Sequence, residues 1–141
     1  MKYWDASALV PLVIEEPGTP RLRRLLRADD DVVAWWGSWV ECASALARRH
    51  REGRLAQQPY QEALKALVLA ARGWRAVTPS DLVRFDAMRF VRVYPLRSAD
   101  ALQLAAAWSW AQRRPSGLQF VCLDQRLRDA AVFEGFSVLP E

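Results

Sequence analysis

Residues 95–112 place Leu102, Leu104, Ala105, Ala106, Trp108 and Ala111 so that a helix through them has no wide polar face. Such a helix has to be surrounded, so the spacing predicts a central element packed on most of its circumference. Ser98 reads as its N-cap. Asp100 then lies in the first turn, where the helix dipole and free N–H groups favour a negative charge. If that end of the helix is itself buried, the carboxylate has to be paired, protonated or bound to a cation, because a lone charge out of water is too costly.

What surrounds this helix follows from the rest of the chain, which alternates strand and helix signals with no repeat or linker. Strand-like segments fall at residues 2–4, 32–36, 74–77, 119–123 and 136–139. Between them come a short helix from about Ser7, with Pro11 near its start or kinking it, and an arginine-rich helix over 21–27. A third helix opens at Ser38 and ends at Gly53, a fourth runs from about Tyr60 to Gly73, and a fifth begins with Thr78 as N-cap and Pro79 at its first position. Asp124 starts the last, before Gly135. Asp29, Asp30 and Asp31 read as a solvated turn, and His50 as exposed. Strands joined by helical crossovers mean an α/β fold: a central parallel sheet of four to five strands with helices on both faces.

A chain of 141 residues, 52% of them hydrophobic, is one domain with one core, spanning 1–141. With no charged-then-apolar leader and no apolar run near about 18 residues, the expectation is a cytoplasmic protein with no membrane contact. The net charge is +4, carried by 18 arginines and only two lysines, Lys2 and Lys65. Guanidinium groups suit phosphate, so a polyanionic partner is favoured. His50 is the only histidine, and Cys42 and Cys122 are the only cysteines, in no metal-ligand spacing. Zinc sites and histidine-based triads are therefore disfavoured.

In parallel sheets, ligands bind outside the carboxyl ends of the strands. Asp5 follows the first strand, Asp124 follows the fourth, and Glu41 lies in the first turn of the helix after the second. Asp100 reaches the same edge if its helix runs back like its neighbours. Each acid alone is adequately explained as a cap or a dipole partner, Glu41 by a capping box with Ser38. Together, four like charges repel and raise one another's pKa unless a cation sits among them. Oxygen-only ligands suit Mg²⁺ or Mn²⁺, the ions used for phosphodiester hydrolysis.

Asp5-Ala-Ser7-Ala-Leu, Glu41, Ser98-Ala-Asp100-Ala-Leu-Gln-Leu-Ala and Leu123-Asp124-Gln-Arg-Leu, in that order over nearly the whole length, resemble the PIN-domain ribonucleases, and among them the small VapC-like toxins of toxin–antitoxin pairs. The resemblance implies a three-layer PIN-like fold and a metal-dependent endoribonuclease that is homodimeric and inhibited by an antitoxin segment lying in its groove. It also implies that Asp5, Glu41 and Asp100 bind the metal, that Asp124 binds it through water or helps hold a second ion, and that Ser7 orients Asp5. The chain departs from the pattern twice: Cys122 stands where a hydroxyl residue is common, and Gln103 where histidine is frequent.

Arg48 and Arg51 extend along the helix of Glu41 and suggest a phosphate path to the metal, against the plainer reading of a solvated face. Trp35, Trp36 and Trp39 are expected in the core, with an anchoring role for one of them as the alternative. A haloacid-dehalogenase-like phosphotransferase would want an acid where Ser7 stands, and a dinucleotide-binding enzyme a glycine-rich turn after the first strand, which is absent. The remaining alternatives are a PIN-like module that binds RNA or protein without cutting, and a PIN nuclease of RNA processing.

Overall fold

The computed structural model describes residues 1–141. Strand β1 (Lys2–Trp4) leads into α1 (Ala6–Leu9), which tightens into a 3-10 turn at Val10–Leu12 where Pro11 sits, and then α2 (Thr19–Ala28). β2 (Val32–Trp35) is followed by α3 (Ser38–Arg51) and α4 (Gln57–Ala71), and β3 (Arg75–Val77) by α5 (Asp81–Val93) and α6 (Ser98–Trp110). β4 (Gln119–Val121), α7 (Gln125–Glu134) and β5 (Ser137–Leu139) complete the chain. The five strands are all parallel, in the order β3-β2-β1-β4-β5. β1, which carries the first acid, is therefore central.

Side chains alternate across the pleat, so one strand feeds two cores. Tyr3, Val33, Trp35 and Phe120 face the layer built from α5, α6 and α7, whereas Trp4, Val32, Ala34 and Val121 face the layer of α1 to α4. Helix α6 is packed as its pattern predicts: Ala101, Leu104, Ala105, Ala106 and Ala107 are fully buried. The alanines let it approach the sheet and α5 closely, and Leu104 fills the gap between them.

Local chemistry departs from expectation in several places. Arg97, not Ser98, is the N-cap residue of α6, and Ser98 is exposed with no capping hydrogen bond. Helix α5 starts two residues later than the Thr78-Pro79 signal implies, because Ser80 accepts from the Val83 N–H, and it runs on to Val93. The three aspartates after α2 are not a free turn: Asp29 accepts from Lys2 Nζ at 2.9 Å and from the N-terminal ammonium, and Asp31 pairs with Arg75 at 2.6 Å. His50 is also not simply exposed, since its Nδ1 lies 2.8 Å from the Leu55 carbonyl oxygen and its ring stacks on Tyr60. Of the three clustered tryptophans only Trp35 is buried, while Trp36 and Trp39 are exposed.

Candidate active site

Asp5 ends β1 at the carboxyl edge of the sheet, tied to the neighbouring strand by its N–H to the Val121 carbonyl at 2.9 Å. Its side chain is buried and caps α1, accepting from the Ser7 N–H at 2.9 Å and the Ser7 hydroxyl at 2.5 Å. The same hydroxyl accepts from the Leu123 N–H at 2.9 Å, so Ser7 clamps the ends of β1 and β4 together and holds the carboxylate between them. Cys122 Sγ stands 3.6 Å from Asp5 Oδ2. Burial pushes its thiol pKa well up, with the charge of Asp5 adding to the effect, so it stays protonated and donates weakly where a hydroxyl would donate more strongly.

Gly37 sets the entry into α3. A Cβ there would lie 2.5 Å from the Trp35 indole nitrogen, so the close approach needs glycine. No side chain caps this helix, and the Ser38–Glu41 capping box is not formed. Both residues turn instead to Gln103. Its Nε2 donates to Ser38 Oγ at 3.0 Å and to Glu41 Oε2 at 3.2 Å, while its Oε1 accepts from the Tyr3 hydroxyl at 2.7 Å. Gln103 is fully buried, so this amide is a fixed strut from α6 and β1 to the Glu41 carboxylate. Neither Gln103 nor Tyr3 was on the sequence-derived list of site residues. The available signal was a lone amide in an apolar helix, one turn after Asp100.

Asp100 is half-buried in the first turn of α6, and Asp124 is exposed at the N-cap of α7, accepting from the Leu127 N–H at 2.9 Å. The acids sense one another. Burial raises the pKa of Asp5, opposed by the Ser7 hydrogen bonds and reinforced by Asp100. Burial raises Glu41 to about 7, opposed by the Gln103 hydrogen bond and reinforced by Asp5 and Asp100. Burial and then Asp124 raise Asp100, while Arg97 and Arg126 pull it back. No three of the acids, thiols or His50 meet at ligand distance of one point; the carboxylates are spaced, as mutually repelling charges should be.

The fold thus brings Asp5, Glu41, Asp100, Asp124 and Ser7 to one edge and leaves Ser98 outside it. Arg48 and Arg51 are exposed farther along α3, in no ion pair with the acids. Arg97 and Arg126, which the sequence reading passed over, are the cations that act on Asp100.

No family model matches the sequence. Over 143 aligned residues it is 34% identical to ribonuclease VapC46 of Mycobacterium tuberculosis, covering 97% of this chain and 95% of that protein. The chain belongs to the VapC family. Among solved structures, the VapC-family fold is shared with VapC20 of M. tuberculosis, a sarcin-ricin loop cleaving toxin, at TM-score 0.64 and 18% identity over 92% of this chain and 95% of that one. It is shared also with a chain of a toxin–antitoxin complex from Klebsiella pneumoniae, at TM-score 0.63 and 13% identity over 89% and 88% of the two chains. Both likenesses are of fold: the three-layer α/β architecture with its central parallel sheet.

Proposed function

We propose that this chain is a divalent-cation-dependent endoribonuclease and the toxin of a toxin–antitoxin pair. The observation that carries the reading is the set of four carboxylates at the carboxyl edge of the sheet, three of them with pKa values raised by burial and by one another, in a chain of the VapC family. A purely structural role does not account for acids placed to repel. The donor set is all oxygen, which is the chemistry that suits Mg²⁺, with Mn²⁺ the alternative. Asp5, Glu41 and Asp100 would hold the ion by drawing closer together than they stand without it, and Asp124 would contribute from the rim.

A divalent cation bound there supplies positive charge to the phosphate oxygens and lowers the pKa of an attacking water. The residues do the rest. Ser7 and Cys122 hold Asp5, and the Tyr3–Gln103 strut holds Glu41 with one oxygen committed and the other free. Arg97 and Arg126 flank Asp100 and face the charge of an incoming phosphate, and Arg48 and Arg51 extend that basic surface along α3. The cognate antitoxin would inhibit by covering this edge. A homodimer is supported by Leu82, Phe85 and Met88, which lie exposed along α5. Such a pair would act in the cytoplasm.

The test is cleavage of a mixed cellular RNA pool by the purified chain in Mg²⁺ or Mn²⁺, with EDTA and the Asp5→Asn and Asp100→Asn variants alongside. Cleavage should require the metal and be lost in both variants. Equal cleavage by wild type and variants, or none by folded wild type, overturns the assignment.

A further inference from the structure

Helix α3 begins with two large apolar side chains in water: Trp36, just before it, is 59% exposed and Trp39 is 38% exposed, with Val40 beside them. They do not cap a core. They form one wall of an open groove of about 540 Å³ whose other wall is Trp74 and Ala76 of the β3 segment and Arg72 at the end of α4. The aromatic pairs of the molecule all involve other rings, so none of these three indoles is stacked on a neighbour. Arg72 is the only charged residue lining the groove, and it is in no ion pair.

Position ties this groove to the acids. Trp36 leaves the carboxyl end of β2, and Trp39 and Glu41 share the first turn of α3, two residues and about 200° apart around the helix. The groove therefore opens across α3 from Glu41, at the carboxyl end of β2, and runs from there along the outermost strand, β3, toward Trp74 before its start.

Resting on the ribonuclease reading, we infer that this groove is a subsite for an unpaired nucleobase of the RNA, stacked on Trp36 and Trp39 with its phosphate against Arg72. The chemistry matches the ligand. A base is flat, uncharged and π-faced, and single strands are held by aromatic faces interleaved with guanidinium groups. A protein occupant fits less well. A docked helix would want a row of aliphatic pockets at helical spacing rather than a cluster of indoles.

The experiment uses the full chain carrying Asp5→Asn, so that RNA is bound and not consumed. It compares a short single-stranded oligoribonucleotide with an abasic strand of equal length and charge, read by intrinsic tryptophan fluorescence. The base-containing strand should quench the fluorescence and bind roughly tenfold more tightly than the abasic one. Trp36→Ala with Trp39→Ala should abolish that difference while leaving abasic binding and the salt dependence unchanged, and Trp36→Phe with Trp39→Phe should restore most of it. Arg72→Gln should lower the slope of log affinity against log salt by roughly 0.7. Equal affinity of the two strands, or a double alanine variant that binds RNA normally, overturns the subsite. So does a double alanine variant whose only change, by analytical ultracentrifugation, is loss of self-association or of antitoxin binding. Wild-type protein that binds RNA through the groove but cuts nothing in Mg²⁺ would sink the nuclease reading and leave the subsite standing.

Discussion

At the amino edge of the sheet, Asp29 sits against Lys2 and the N-terminal ammonium, and Asp31 against Arg75. Hydrogen bonds from the N-terminus and then Lys2 hold the Asp29 carboxyl far below its usual range. At the carboxyl edge, one strand length away, Asp5, Glu41 and Asp100 sit near other acids and their pKa values are raised. The same residue types on the same sheet are stabilised at one end and strained at the other. Pairing is what a fold does with charge when only stability matters. Unpaired acids gathered at the carboxyl edge cost stability, and a bound cation would offset that cost.

The sharpest way to break this contrast is Asp5→Asn. RNA cleavage should fall on the order of 1,000-fold, while the melting temperature in EDTA is unchanged or higher, because a buried charge has been removed without changing side-chain size. A large loss of stability would mean that Asp5 is structural. Next in size is the pH response of Glu41. Its ordinary pKa is 4.5 and its folded value about 7, so between these values the native state holds the proton more tightly than the unfolded chain does. Stability in EDTA should therefore fall as pH rises across that window, by up to roughly 3 kcal/mol from this group. Glu41→Gln should flatten the curve, and Mg²⁺ should restore stability to wild type at pH 7 but not to the variant. Denaturant titrations at several pH values measure both.

Gln103→Leu removes the amide that positions Glu41 and leaves the Tyr3 hydroxyl without its acceptor. Mg²⁺ affinity by calorimetry should weaken by roughly tenfold, with Gln103→Glu failing to rescue because it adds a charge. An unchanged affinity would reduce the strut to packing. The smallest effect belongs to the amino edge: Asp29→Asn should cost about 0.5–1 kcal/mol because water screens these pairs, lost from wild type as pH falls through the acid range, with cleavage per folded molecule intact.

How much of this was legible depends on how local the cause is. The candidate acids are legible because each lies at an element boundary, where a short signal marks both the turn and the residue. Cap residues are less legible: Ser80 displaces Thr78 by two positions through a hydrogen bond that several nearby residues could have made, and α6 starts after Arg97 with no side-chain cap at all. Trp36 and Trp39 were misjudged because hydrophobicity predicts the core, and no local pattern tells an exposed indole from a buried one. Asp29 and Asp31 looked solvated because their partners, at the starts of β1 and β3, are distant along the chain.

By itself, the sequence determined the α/β class, the buried central helix and the places of the four candidate acids at element boundaries. All of these rest on periodicity and on strand ends, which are properties of neighbouring residues. Only the tertiary structure decided the strand order that sets β1 between β2 and β4, the clamp of Ser7 across two strands and the reach of Gln103 from α6 to Glu41. It likewise decided the exposure of the indoles beside α3. These depend on which surfaces meet once the crossovers have closed, and burial then raises the pKa values of carboxylates that the sequence presents as ordinary acids.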